Sequence, residues 1–162
     1  MTTILVPIDL SDATEPVVEA GSVLARAVRA KIVLAHVIRR AVIVNEYSAV
    51  VESLAVAVEN NALEQLSHWQ AELQNDGFTV ETRSLYGQPA ACIREEAEQL
   101  EADYIVVGSH GHAALYDLVV GSTASALLKE APCPVLIVPV ANLRRPAVDS
   151  GARALALTGN AP

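Results

Sequence analysis

Four runs along the chain are apolar at nearly every central position, and a fifth alternates. Thr3-Ile4-Leu5-Val6-Pro7-Ile8, Lys31-Ile32-Val33-Leu34-Ala35-His36-Val37-Ile38, Asp103-Tyr104-Ile105-Val106-Val107 and Val135-Leu136-Ile137-Val138 predict strands covered on both faces. Thr79-Val80-Glu81-Thr82-Arg83-Ser84-Leu85 alternates, which predicts a strand near a sheet edge. Pro7 donates no ladder bond, so it must lie where a missing N–H does no harm.

Between the runs the apolar period lengthens to that of a helix. After the turn Asp9-Leu10-Ser11-Asp12, a helix is expected to run to about Ala30, with Val17, Ala20, Gly21, Leu24 and Val28 inward. Ser11 or Asp12 is placed to cap it, and Asp12 with Glu15 has capping-box spacing. A long helix is expected from about Ser48 to Asn75, ended by Asn75-Asp76-Gly77. Gly87-Gln88-Pro89 opens a third, from about Ala90 to Leu100, with Ala91, Ile93 or Arg94, Ala97 and Leu100 inward. A fourth runs through Ala124-Ser125-Ala126-Leu127-Leu128-Lys129 and stops at Ala131-Pro132-Cys133-Pro134. The order βαβαβαβαβ predicts an α/β fold with a five-stranded, mostly parallel sheet and right-handed crossovers.

At 162 residues the chain has room for one ordinary domain. The patterned part ends near residue 141. From Asn142 to Pro162 the period dissolves, and a flexible or loosely docked tail is expected. No apolar run approaches the ~18 residues of a membrane span. The N-terminus enters a strand with no basic stretch before it, which argues against a signal peptide. Cys92 and Cys133 lack metal-ligand spacing and read as small apolar residues, which makes cytoplasm the expected compartment. The net charge is −8, and residues 1–141 hold 8 basic against 18 acidic side chains. Such a surface repels a polyanion, so nucleic acid is not an expected partner. A single nucleotide is compatible with it, because salt screens charges beyond about 8–10 Å.

The candidate chemistry lies after the fourth strand. Gly108-Ser109-His110-Gly111, nine residues, and Gly121-Ser122-Thr123 join that strand to the fourth helix. A glycine-rich strand-to-helix turn lets the backbone approach a phosphate, and the helix N-terminus adds free N–H groups and partial positive charge. Ser122 and Thr123 add hydroxyls. Ligands of open α/β sheets bind beyond the strand carboxyl ends, where strand order reverses. Asp9, Val37 and Gly108 all fall at such ends.

These residues carry a resemblance to the universal stress protein family over residues 1 to about 141. Its bearers are Ile4-Leu5-Val6-Pro7-Ile8-Asp9, His36-Val37, the spaced glycine motif and Cys133-Pro134-Val135-Leu136-Ile137-Val138-Pro139. The glycine motif is typical of the family's ATP-binding branch. The resemblance implies strand order 3-2-1-4-5 with helices on both faces, a Rossmann-like fold of the adenine nucleotide alpha hydrolase type. It implies ATP or another adenine nucleotide as ligand, with or without Mg²⁺, held between strands one and four. Pro7, Ile8, Asp9 and the backbone of Val37 would face the adenine and its sugar. Gly108, Ser109, His110, Gly111 and His112 would wrap ribose and phosphates, and Gly121, Ser122 and Thr123 would donate to the phosphates. It also implies a homodimer through the fifth strand, Val135 to Val138, and a role as a nucleotide-linked stress sensor or regulator with an unknown protein partner. His110, His112 and Asp117 depart from the usual family loop.

Each signal also has a plainer reading. Asp9 is able merely to satisfy turn amides, and His36 to pack at a strand end through a hydrogen bond. His110 and His112 lack a third metal ligand and are expected to face solvent. The hydrolase elbow G-x-S-x-G and the phosphate loop G-x-x-x-x-G-K-[ST] are absent. The only lysines, Lys31 and Lys129, are away from the glycine turn. Fast phosphoryl transfer needs charge neutralisation and a placed nucleophile. Little or no turnover is therefore expected, with slow hydrolysis or self-phosphorylation left open. A nucleotide-free interaction module and an enzyme acting on a small adenylated substrate remain as alternatives. A phospho-acceptor receiver domain would need an Asp after strand three and a Lys after strand five, and Leu85-Tyr86-Gly87 and Pro139-Val140-Ala141 supply neither.

Overall fold

A computed structural model describes residues 1–39, 48–109 and 120–139. Its elements are β1 (Thr3–Pro7), α1 (Thr14–Val28), β2 (Lys31–Ile38), α2 (Ser48–Asn75), β3 (Val80–Tyr86), α3 (Pro89–Gln99), β4 (Tyr104–Gly108), α4 (Ser122–Glu130) and β5 (Val135–Val138). The strands form one sheet in the order β3-β2-β1-β4-β5, and all four pairings are parallel. The alternating strand β3 is at an edge, as its pattern predicts.

Successive side chains of a strand point to opposite faces, so the sheet supports two apolar layers. Ile4, Val6, Ile8, Ile32 and Leu34 pack with Val17 and Val18 of α1 and Leu66 and Leu73 of α2. Leu5, Val33, Ala35 and Ile105 pack with Ile93 and Ala97 of α3 and Ala124 and Leu127 of α4. The helices therefore lie in pairs on the two faces. Among the described residues, no helix is long and apolar enough to cross a membrane.

The first helix departs from its sequence pattern in two ways. It begins at Thr14, with Ala13 as an N-cap that makes no side-chain cap bond, so the Asp12–Glu15 box does not form. A turn takes the polar groups instead. The Ser11 hydroxyl accepts from the Ala13 N–H at 3.1 Å, and the Ser11 carbonyl accepts from the Thr14 N–H at 2.9 Å. Of the expected inward residues, Val17 and Gly21 are buried and Ala20 and Leu24 pack partly buried against the core, with Thr14, Val18 and Ala25 buried beside them, whereas Val28 is exposed. Gly21 sits close against β1. A Cβ there would stand 2.9 Å from Val6 Cγ2, so α1 lies on β1 at a distance only glycine allows. Gly77 ends α2 region as expected, with φ of 88°, and Pro89 occupies the first turn of α3, where its missing N–H is harmless.

Candidate functional site

Pro7 is where the two central strands part. The β1–β4 register covers Ile4 with Tyr104 and Leu5 with Ile105, whereas the β1–β2 register continues to Pro7 with Ala35. The Ile8 N–H then reaches the Ala35 carbonyl at 2.8 Å, so Ile8 faces β2. Alternation turns the nitrogen of Pro7 toward β4. The missing donor thus lies on the side where the ladder ends, which satisfies the expectation for this proline.

Beyond the parting lies a cavity of about 510 Å³. Pro7, Ile8, Asp9, Val37, Gly108, Ser109, Gly121, Ser122 and Thr123 all line it, although they come from four separate stretches of the chain. His110, Gly111, His112, Asp117, Arg40 and the 142–162 tail lie outside the described residues. His36, Arg39, Thr14, Pro89 and Ile93 also line the cavity. Thr14 was not among the sequence candidates. Its signal, a hydroxyl in the first turn of the helix after the rim, is common to many helices.

Asp9 is locked by its own turn. Its Oδ1 accepts from the Ser11 hydroxyl at 2.6 Å and the Ser11 N–H at 3.1 Å. These bonds hold the turn together and orient the Asp9 carboxylate at the cavity wall. His36 is hydrogen-bonded at the end of its strand, with Nδ1 2.9 Å from the Ile8 carbonyl oxygen. Val37 follows Ala35 by two positions, so its backbone polar groups face the β1 side, past the last β1 pair.

The glycine turn differs from its sequence reading at one atom. The Gly121 N–H donates to the Ser109 carbonyl at 2.6 Å, so it is not a phosphate donor in this geometry. The Ser109 N–H in turn donates to the Val138 carbonyl at 2.7 Å, which ties the ends of β4 and β5 to the start of α4. The intrahelical ladder of α4 begins with the Ser125 N–H on the Gly121 carbonyl. The amides of Ser122, Thr123 and Ala124 precede it and have no acceptor within the helix. With the hydroxyls of Ser122 and Thr123 they form the donor set that fits an anion.

Both lysines lie away from the cavity. Lys31, at the amino end of β2, is 3.0 Å from Glu81, and Lys129 is in the last turn of α4. Arg39 is the basic side chain that lines the cavity among the described residues. Those residues contain no cluster of three or more His, Cys, Asp or Glu placed to hold a metal. The cysteines are free and lie apart from the cavity wall. Burial pushes both thiols up, with help from Glu95 at Cys92 and Asp103 at Cys133.

Comparison with known proteins places this geometry in a family. The universal stress protein family profile matches residues 1–139. The universal stress protein YxiE of Bacillus subtilis is 29% identical over 142 residues, covering 83% of this chain and 96% of that protein. The solved UspA of Lactobacillus plantarum superposes with a TM-score of 0.76 at 28% identity, covering 85% of this chain and 97% of that one. A universal stress protein solved in complex with cAMP shares the fold, with a TM-score of 0.64 at 24% identity and coverage of 85% and 96%. With five parallel strands in the order 3-2-1-4-5 and a profile match that spans all the described residues, the chain belongs to the universal stress protein family.

Proposed function

We propose that this protein binds an adenine nucleotide, ATP in the first place, at the parting of β1 and β4 and uses it to sense or regulate stress. The observation that carries this is convergence: Pro7, Ile8, Asp9, Val37, Ser109 and Ser122 meet around one cavity beside the uncommitted amides of α4. A family neighbour that holds cAMP supports the class of ligand. In this reading the Val37 backbone meets the base, and Asp9 meets the sugar. Ser122, Thr123 and the first α4 amides meet the phosphates. Mg²⁺, if it accompanies ATP, would be held by the phosphates and supply charge neutralisation. Arg39 would contribute a further positive charge. With no lysine at the phosphate end, we expect slow turnover or none.

We further propose a cytosolic homodimer joined along β5. Two unpaired thiols fit a reducing compartment. Leu136 on β5 is exposed while Ile137 packs against the core, so the outward face of this edge strand is apolar at Leu136. Residues 1–141 would form the binding domain and 142–162 an appended tail.

Titration calorimetry with ATP, ADP, AMP and cAMP, with and without Mg²⁺, tests the ligand. Binding of at least one, at micromolar affinity (about −8 kcal/mol), is expected. No heat and no thermal shift with any of them would leave the nucleotide-free interaction module as the better account.

A further inference from the structure

Two helix starts that line the cavity differ in chemistry. α4 opens on Gly121-Ser122-Thr123, with hydroxyls and uncommitted amides. α3 opens on Pro89, which has neither a hydroxyl nor an N–H. Val37, Ile93 and Val107 line the cavity with Pro89, and none of the four has a polar side-chain atom. Pro89 and Val37 are partly exposed, so each presents open surface in that wall.

A turn that glycine alone makes readily puts Pro89 there. Gly87 has φ of 141°, and an added Cβ would stand 3.0 Å from Cys92 Sγ. Its N–H donates to the carbonyl of Ile38, the residue after Val37, at 3.2 Å. The start of α3 is thereby tied to the end of β2, on the face where Val37 packs against the layer of Ile93 and Val107. A ligand with a flat apolar ring at one end and anionic groups at the other matches an apolar wall by β2 and a donor set by β4. Resting on the nucleotide reading above, we infer that Pro89 is a base-recognition residue, whose ring covers the base beside the Val37 side chain. It makes the site prefer purines to pyrimidines, because the larger ring buries more apolar surface against it.

The test titrates wild type and Pro89→Ala with ATP and with UTP. Wild type is expected to bind ATP at least about tenfold more tightly than UTP. Pro89→Ala is expected to bind ATP about threefold to tenfold more weakly, with UTP within about twofold of wild type or undetectable in both. Equal losses for the two nucleotides, or no loss for ATP, overturns the inference while leaving the nucleotide reading intact. A second measurement uses wild type alone and so does not depend on the variant's folding. In its complex with ATP, nuclear Overhauser effects are expected between the adenine ring protons and the Pro89 ring. Their absence, in a protein that binds ATP, also overturns the inference. Wild-type protein that binds neither nucleotide removes the nucleotide reading, and this inference with it.

Discussion

The Ile8 carbonyl accepts a hydrogen bond from His36 Nδ1 at 2.9 Å, which fixes a proton on that ring nitrogen. The Ile8 N–H is held by the Ala35 carbonyl at 2.8 Å. Both backbone groups of Ile8 are therefore anchored to β2, and the Asp9 turn departs from a fixed point.

His36→Ala should lower stability by about 0.5–1.5 kcal/mol in urea denaturation and weaken nucleotide binding. His36→Asn, whose side-chain amide is able to donate from a similar place, should restore most of both. An alanine variant that matches wild type in both measurements would show that the bond is incidental.

Gly121 has φ of −58° and ψ of 158°, which a β-branched residue adopts without strain. Gly121→Val should therefore keep the circular dichroism spectrum and most of the melting temperature. Its side chain, placed beside the α4 amides in the cavity wall, should reduce ATP affinity at least tenfold by calorimetry. Unchanged affinity in the folded variant would move the phosphates elsewhere.

Dimer disruption is best sought at Leu136. Ile137, the more obvious apolar residue of β5, belongs to the layer formed with α3 and α4, so a lysine there would damage the fold. Leu136→Lys should lower the dimer fraction in sedimentation velocity while leaving the circular dichroism spectrum intact. A variant that sediments as wild type would place any self-association on another surface.

Glu81 accepts from Lys31 at 3.0 Å and from Arg83 at 2.7 Å, and these partners hold its carboxyl below the usual carboxylate range. A depressed folded-state value means that the stabilisation is present above the unfolded value and is lost as pH falls through the folded one. Glu81→Gln should therefore lose less melting temperature than wild type between about pH 6 and pH 3, in thermal scans across that range. Identical acid slopes would show that the cluster adds nothing to acid sensitivity.

The strands and the rim were legible because their causes are local or topological. Continuous apolar runs such as Leu5-Val6 and Val106-Val107 announce burial on both faces, and alternation announces the β3 edge. The rim gathers Asp9, Val37 and Gly108 because all strands point the same way. The close approach of α1 to β1 was not legible, since it depends on how closely Gly21 meets Val6, two residues on different elements. Nor was the capture of the Gly121 amide by Ser109, a bond between the ends of two elements.

A proline at the seventh position has one lasting effect on this architecture. Its ring nitrogen has no hydrogen to give, so the middle strands are barred by covalent structure from zipping together at that point. One ladder bond between β1 and β4 is thereby excluded at the rim, whatever side chains surround it.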